Sequence, residues 1–123
     1  MIEGNLSPRL EPLVSVTVRN NLGSAVTAEA VVDTGFNDYF TVSAEMVATL
    51  NLEPVSSTLI ELADGSVRET NYYPLYIEWM GVERFILAQD SDGPPLLGMM
   101  LLLNYELCIT VRYDGPVTIK PAP

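Results

Sequence analysis

Turn-forming residues interrupt this sequence at short intervals, and that spacing leaves room for little except short strands. Glycine, proline, asparagine and aspartate supply tight turns because they adopt or preset the backbone angles that turns need. Between two such turns, residues 13–18 alternate apolar and polar side chains with the period of two that is typical of a half-buried strand. The turn signals fall at residues 20–23, 64–65, 80–81, 91–95 and 114–116. The sequence therefore predicts an all-β, or mainly β, fold.

Each turn signal has candidate strands on both sides. Residues 25–32 are the expected partner of the first strand, and residues 57–63 and 66–73 flank Asp64-Gly65, a dipeptide favoured in type I′ hairpin turns. Helix signal is confined to residues 43–50, with Ser43 as candidate N-cap, and to residues 97–103. Two further hairpins are predicted to join residues 75–79 to 82–88 and residues 106–113 to 117–120. This pattern favours a closed β-barrel with one or two short helices.

The length of 123 residues suits a single domain, which we expect to span residues 1–123. Hydrophobic residues make up 48% of the chain, enough to build a core, so disorder is not expected. Residues 1–10 and 120–123 are predicted to be loose ends.

Residue counts exclude several kinds of catalytic and metal site. The chain has no histidine, which removes Ser-His-Asp and Cys-His nucleophile systems and the histidine-based zinc sites. Cys108 is the only cysteine and Lys120 the only lysine, so a thiolate cluster is impossible and a Schiff-base lysine is disfavoured. We therefore expect no cofactor and no metal, which leaves carboxylates, hydroxyls and backbone groups to carry any chemistry.

The charge balance and the lack of a long apolar run limit the kinds of partner that we expect. With 16 acidic and 6 basic side chains the formal charge is −10, whereas a nucleic-acid binder needs a basic face, so no nucleic-acid partner is expected. No apolar run approaches the roughly 18 residues of a membrane span, and we expect no membrane partner. The N-terminal residues lack the pattern of a signal peptide, and with a single cysteine this favours a cytoplasmic location.

The tripeptide Asp33-Thr34-Gly35 is the segment that points to chemistry. The apolar residues 30–32 precede it as a buried strand would, and such a strand would deliver Asp33 at a fixed position. Gly35 allows a sharp turn and a close approach of another backbone, and the Thr34 hydroxyl can stabilise that turn by hydrogen bonding. The same three residues also make an ordinary β-turn, so the tripeptide alone decides nothing.

Two further segments follow the tripeptide at regular intervals. The Asp64-Gly65 hairpin comes about thirty residues after the tripeptide, and Leu96-Leu97-Gly98 comes about thirty residues after that, ahead of a short helix. In this order and spacing the chain resembles the retropepsin-like aspartic proteases, in which an Asp-Thr-Gly strand end, a flap hairpin and an apolar-apolar-Gly segment follow one another. The resemblance extends over nearly the whole chain, residues 12–118.

Two details place the resemblance closer to bacterial or Ddi1-like single-domain members than to viral ones. These are the continuation of the motif into Phe36 and the final hairpin of residues 106–120. Viral members usually pair an acidic residue two places after the motif glycine with an arginine after the late glycine. Here Asn37 and Met99 occupy those positions, so both partners are absent together and no unpaired buried charge results.

The resemblance implies a homodimer that hydrolyses peptide bonds, because the reaction needs two carboxylates and each chain has one Asp-Thr-Gly. It implies that Asp33 is catalytic, that Thr34 and Gly35 support it, and that the substrate is a peptide or protein. Gly35, Phe36, Asn37, Ala63, Asp64 and Gly65 would bind substrate, and Leu96, Leu97 and Gly98 would have a structural role in the motif. Phe36, Leu59 and Leu96 are candidate pocket walls, although each could equally be plain core.

Two other interpretations remain open from the sequence. The chain could be a catalytically silent module of the same fold that dimerises or binds extended peptides, because a fold does not by itself establish an activity. It could also be an unrelated small β-barrel binding module in which the Asp-Thr-Gly turn is coincidental.

Overall fold

The computed structural model describes all residues, 1–123, and is built almost entirely from strands. Most of the elements lie where the alternation and turn signals of the sequence predict them. The strands are β1 (Ile2–Leu6), β2 (Pro12–Arg19), β3 (Ala25–Val32), β4 (Thr41–Val42), β5 (Ser56–Glu61), β6 (Val67–Trp79), β7 (Val82–Asp90), β8 (Leu96–Leu97), β9 (Tyr105–Ile109) and β10 (Pro116–Pro121), and the helices are α1 (Ala44–Thr49) and α2 (Met99–Leu102).

The strands close into a barrel through one short bridge. Strand β2 pairs with β3 on one side and β6 on the other; β6 continues to β7 and β7 to β4, while β3 pairs in parallel with β8. The ring closes because Leu97 of β8 also bridges to Phe40, directly before β4. Strands β1, β10 and β9 extend the sheet beyond β2. The expected all-β closed barrel is confirmed.

A single cluster of 21 buried residues fills the barrel. Along β2 the side chains of Val14, Val16 and Val18 are buried, while the polar residues between them face outward or are half-buried. Trp79 and Phe40 are the largest of the fully buried side chains. Period-two alternation therefore selected the core face of this strand correctly.

The helices are short and lie near the predicted positions. Helix α1 begins after Ser43, whose Oγ accepts a hydrogen bond from the Met46 N–H at 3.2 Å, as an N-cap does. Helix α2 has a single turn, because Leu97 belongs to β8 and Gly98 ends that strand. No helix in the structure combines the length and the apolar character that crossing a membrane requires.

The prediction of loose ends is wrong for most of the residues concerned. Strand β1 lies between β2 and β10, and β10 itself reaches Pro121, which pairs with Tyr105. Close packing explains the docking of β1: a Cβ on Gly4 would lie 1.9 Å from the Leu13 carbonyl oxygen, so only glycine lets the two strands approach this closely. The edge of the sheet is instead β9, on which Cys108 is exposed.

Residues predicted as two strands, 66–73 and 75–79, form the single long strand β6 despite Pro74. The Val55 N–H donates to the Tyr72 carbonyl, so the backbone groups of residues 72 and 74 point away from β7. On that side β5 pairing ends at Tyr72 and β2 pairing begins only at Tyr76. Pro74 therefore occupies a gap where no strand needs its missing N–H.

The turn at Asp64-Gly65 also differs from the prediction. Only Gly65 has a positive φ, +85°, whereas a type I′ turn needs positive φ at both central residues. The Gly65 N–H donates to the Leu62 carbonyl, and the Leu62 N–H donates to the Ser66 carbonyl. This is a three-residue hairpin loop with glycine in the left-handed position. The type I′ turn occurs instead at Met80-Gly81, where φ is +54° and +79°.

Candidate active site

Asp33 is held at the end of β3 by the parallel strand β8. Val31 and Val32 pair with Leu96 and Leu97, and the Asp33 N–H donates to the Leu97 carbonyl at 2.9 Å. Val32 and Leu97 are buried, so the strand end that carries Asp33 is fixed on the barrel core. The short apolar segment 96–97 thus forms the floor beneath the Asp33 turn.

The tripeptide itself forms a turn that orients the carboxylate. The Phe36 N–H donates to the Asp33 carbonyl at 3.2 Å, and the Gly35 N–H donates to Asp33 Oδ1 at 2.9 Å. The other oxygen, Oδ2, has no hydrogen-bond partner in the chain. Asp33 is half-buried, while Thr34 and Gly35 are exposed, so the carboxylate lies on an open surface.

Gly98 connects this turn to α2. Its N–H donates to the Tyr39 carbonyl at 3.0 Å, and the next N–H, of Met99, donates to the Phe36 carbonyl at 2.8 Å. A Cβ on Gly98 would lie 2.1 Å from the Asp38 carbonyl oxygen and 2.6 Å from the Phe36 ring, so the late glycine permits a contact that no other residue could make. The structure therefore brings the two predicted motif segments together.

A second layer of polar contacts holds the loop after the motif. Asp38 Oδ1 accepts from the Tyr39 N–H at 2.8 Å, and Asp38 Oδ2 accepts from Gln89 Nε2 at 3.2 Å. Thr41, which is buried, accepts a hydrogen bond from the Leu96 N–H at its Oγ1, at 2.8 Å. Both carboxylate oxygens of Asp38 are thus engaged in holding the loop.

The remaining predicted site residues around the motif differ in exposure. The Phe36 side chain is half-buried against Gly98, and Leu96 is half-buried beside it in β8. Asn37 is exposed. Met99 lies 43% exposed at the start of α2. Because the Met99 N–H binds the Phe36 carbonyl, positions 37 and 99 are neighbours in space, as the viral acid–arginine pair requires, but neither residue is charged here.

The tip of the β5–β6 hairpin carries Ala63, Asp64 and Gly65, and all three are exposed. Asp64 Oδ1 accepts hydrogen bonds from both the N–H and the hydroxyl of Ser66, at 2.9 and 2.6 Å. These hydrogen bonds hold the pKa of Asp64 below its usual value. The hydrogen bonds at the tip stay within the hairpin, so the structure does not bring the tip onto Asp33.

The hairpin has two distinct faces. Ile60 pairs with Arg68, and both are half-buried on the same side as Thr70, which is 1% exposed. We call the side with these three residues the Thr70 face; alternation along β6 puts it opposite the side that carries the buried Tyr73 and Leu75. Leu59, a candidate pocket wall, lies on the opposite face beside Glu69 and is 69% exposed.

Sequence reasoning missed Ile60, Arg68 and Thr41. Strand alternation could have grouped Ile60 with Arg68 and Thr70, whereas the burial of Thr70 follows only from the fold. No local feature of the sequence marks Thr41 as part of the site.

Away from the site, Arg19 and Glu83 form an exposed ion pair, and their hydrogen bond raises the pKa of Arg19 and lowers that of Glu83. No group of three or more cysteine or acidic side chains is arranged to hold a metal ion.

The barrel, the Asp33 turn and the segment 96–98 together make up the all-β fold of the retropepsin-like aspartic proteases. Two solved structures share it. A retropepsin-like aspartic protease from Rickettsia conorii superposes with a TM-score of 0.59 over 98% of this chain and 90% of that one, at 18% identity. The EIAV protease, solved with an inhibitor, gives a TM-score of 0.57 over 76% of this chain and 86% of that one, also at 18% identity.

No protein-family model matches the sequence, and no curated protein matches it. The likeness therefore concerns the fold alone. Both neighbours, one bacterial and one viral, give similar TM-scores at equal identity, so the fold comparison favours neither subgroup.

Proposed function

We propose that the protein is a retropepsin-like aspartic endopeptidase that works as a homodimer, with Asp33 of each chain forming the catalytic pair. The observation that carries the proposal is the setting of Asp33. A parallel strand pair fixes its backbone, Gly35 orients one carboxylate oxygen, and the other oxygen is free on an open surface. The two structural neighbours, both aspartic proteases, support it.

The dimer is proposed because hydrolysis needs two carboxyl groups and the chain has only one Asp-Thr-Gly. The hydrolysis needs one ionised and one protonated carboxyl, because like charges about 3 Å apart share a proton. The other five aspartates of the chain each have a partner of their own. Asp38, Asp64, Asp90, Asp92 and Asp114 accept hydrogen bonds from Gln89, Ser66, Asn71, Arg68 and Asn5. A second copy of Asp33 is therefore the natural second carboxylate, and a twofold axis would bring the two together.

In the proposed reaction the ionised Asp33 takes a proton from a water molecule, whose oxygen attacks the scissile carbonyl carbon. The protonated Asp33 of the other chain donates its proton to the carbonyl oxygen. Proton transfer to the amide nitrogen then lets the C–N bond break, which gives a carboxylic acid and an amine. Gly35 would accept a backbone hydrogen bond from the extended peptide, and Thr34 would brace the two motif turns across the axis.

The remaining contacts would come from around the motif and from the hairpin. Phe36, Leu96 and Ile60 offer apolar surface for peptide side chains. Ala63, Asp64 and Gly65 would act as a flap that closes over the peptide and excludes water. Asn37 would contribute a polar contact beside the motif. An extended peptide bound this way would form hydrogen bonds much like an added strand.

The test is cleavage of a diverse peptide mixture between about pH 3.5 and pH 7, read by mass spectrometry, with wild type and Asp33→Asn. Asp114→Asn is the matched control, because it makes the same change in a turn remote from the motif. Cuts by the wild type and the control, but not by Asp33→Asn, would support the proposal. Equal cutting by all three would refute it.

Dimerisation has its own measurement. Two chains of charge −10 repel, and salt screens that repulsion, so cleavage per chain should rise with protein concentration and with ionic strength. Sedimentation should show the same dependence. If a folded, dimeric protein cuts nothing, the catalytically silent module that binds extended peptides becomes the better account.

A further inference from the structure

An open cavity of about 450 Å³ lies between the β6–β7 turn and α2. Its size is typical of sites that bind small molecules. Seven of the ten residues that line it are hydrophobic, and no residue of the Asp33-Thr34-Gly35 turn is among them. The cavity is therefore a separate feature from the candidate active site of the same chain.

Strand register explains why apolar side chains collect at this cavity. Val82 pairs with Trp79, and Arg84 pairs with Ile77. Trp79 and Ile77 are fully buried, so the side chains of their cross-strand partners also lie on the core-facing side of the β6–β7 hairpin. The cavity thus continues the barrel core outward past Trp79.

The apolar lining remains open to solvent. Val82 is 62% exposed, Leu103, directly after α2, is 60% exposed, and Met100 within α2 is 37% exposed. These three side chains come from two different elements and line the same cavity. Apolar side chains that are grouped in this way, with a polar residue beside them, are typical of a binding site.

The polar residue that matters is Arg84. Three arginines of the chain are half-buried, and Arg19 and Arg68 form ion pairs with carboxylates. Arg84 forms no ion pair; its guanidinium lies over the Tyr39 ring, 5.9 Å from the centroid, which is the outer limit of a cation–π contact. A guanidinium has five N–H donors, so Arg84 can bind an additional acceptor.

The surroundings of Arg84 favour a negative ligand. None of the residues that line the cavity is acidic, although the chain has 16 acidic residues. Glu78 and Glu83 pair with each other on the opposite face of the hairpin. Salt screens charges farther than about 8 Å away at physiological ionic strength. A ligand in the cavity therefore meets one positive charge and an apolar wall.

We propose that this cavity binds a small apolar carboxylate, of the chemical class of a medium-chain fatty acid. The carboxylate forms a bidentate pair with Arg84, and the hydrocarbon chain packs against Trp79, Met100 and Leu103. Binding removes the exposed apolar surface of both the cavity and the ligand from water. The flexible Met100 side chain can adapt to the shape of the chain. The proposal does not depend on the proposed peptidase function.

The experiment uses octanoate as the probe, and Trp79, the only tryptophan, reports its binding by fluorescence, with calorimetry as the second measurement. Octanol carries the same chain without charge, and octylammonium carries it with the opposite charge. We expect saturable binding of octanoate, with an affinity about tenfold or more above that of octanol, because a charge-assisted hydrogen bond is lost in the alcohol. Octylammonium should bind more weakly than either.

Arg84→Gln should lower the affinity for octanoate to that for octanol and leave the affinity for octanol unchanged. Arg112→Gln is the matched control, because it removes the same charge from the exposed turn between β9 and β10, and it should retain the wild-type preference. Val82→Glu, at an exposed position, adds a carboxylate beside the cavity and should weaken the binding of octanoate.

Neither heat nor a fluorescence change with octanoate in the folded wild type would overturn the proposal. Equal affinity for octanoate and octanol would do the same, because the cavity would then select only for apolar character. A preference that survives Arg84→Gln, or that Arg112→Gln abolishes equally, would also refute it. If octanoate failed to bind and Val82→Glu shifted self-association in sedimentation, the occupant would be a second copy of the chain.

Discussion

Replacement of Gly98 by alanine should displace the loop that follows Asp33 and so destabilise the protein. An added Cβ would lie 2.1 Å from the Asp38 carbonyl oxygen and 2.9 Å from the Phe36 carbonyl oxygen, whereas carbon and oxygen normally approach to about 3.3 Å. The Phe36 ring, at 2.6 Å, could rotate away, but the two carbonyl oxygens belong to the backbone, so the loop after Asp33 would have to retreat by about 1 Å. The same two carbonyls accept hydrogen bonds from Met100 and Met99, at 3.2 and 2.8 Å, which that movement would break.

The magnitude follows from these two effects. Overpacking of a well-filled site costs about 1–3 kcal/mol, and the upper end applies here because two of the three nearest atoms are backbone oxygens that cannot turn aside. Each lost hydrogen bond adds about 1 kcal/mol. Gly98→Ala should therefore lower the free energy of unfolding by about 3–5 kcal/mol, a large part of the roughly 5–15 kcal/mol of a typical domain.

Gly35→Ala is the natural comparison, because it makes the same change in the Asp33 turn, whose Phe36 packs against Gly98. There the nearest atom to an added Cβ is Asp33 Oδ1 at 3.3 Å, so the cost in stability should stay below about 1 kcal/mol. Urea unfolding followed by circular dichroism gives both values. Equal stability of the two variants, or wild-type stability of Gly98→Ala, would show that the steric reasoning is wrong.

Three further perturbations test other contacts. Thr70→Val should raise the free energy of unfolding by about 1 kcal/mol, because Thr70 Oγ1 is buried without a hydrogen-bond partner; a lower melting temperature would contradict this. Asn20→Ala should cost about 2–4 kcal/mol in urea unfolding, since Asn20 binds two turn N–H groups and the Leu50 carbonyl, and a cost below about 1 kcal/mol would refute the reasoning. Ser66→Ala should raise the pKa of Asp64 in an NMR titration, and an unchanged midpoint would be contrary evidence. Because hydrogen bonds lower that pKa in the fold, they stabilise the hairpin tip above the unfolded-state pKa, and the stabilisation is lost as pH falls through the folded pKa.

Local signals in the sequence predicted local structure well. The strand Ala25–Val32 and the Ser43 cap depend on neighbours within a few residues, which the sequence displays directly. Pro74 and the docking of β1 depend on partners far along the chain. A proline interrupts a strand only if its missing N–H faces another strand, and the sequence does not say where strands are absent. The pairing of residues 2–6 as a strand has no local signal either, because Gly4 and Asn5 are poor strand formers.

The candidate site likewise combines features with a local sequence signal and features that depend on distant partners. The turn at Asp33 could be predicted from three consecutive residues, but its floor comes from Leu96 and Leu97, about sixty residues later. Only the resemblance to a family linked the two segments, because parallel pairing leaves no local trace in the sequence. Alternation groups Ile60, Arg68 and Thr70 on one face of the hairpin, but it does not show that Thr70 is buried there. That burial depends on the fold as a whole.

The contrast between the fixed backbone of Asp33 and its free carboxylate oxygen bears on what the residue is for. An aspartate that served only as a turn residue would gain its stability from the Gly35 N–H and would need nothing else. It would not need the pairing of β3 with β8 beneath it or the close approach of two carbonyl oxygens to Gly98. Nor would it need the hydrogen bond that the Leu96 N–H donates to Thr41. Such support fixes the position of a carboxylate whose second oxygen remains free. A group held that firmly and left open is suited to meet a partner from outside the chain, which is what the proposed dimer supplies.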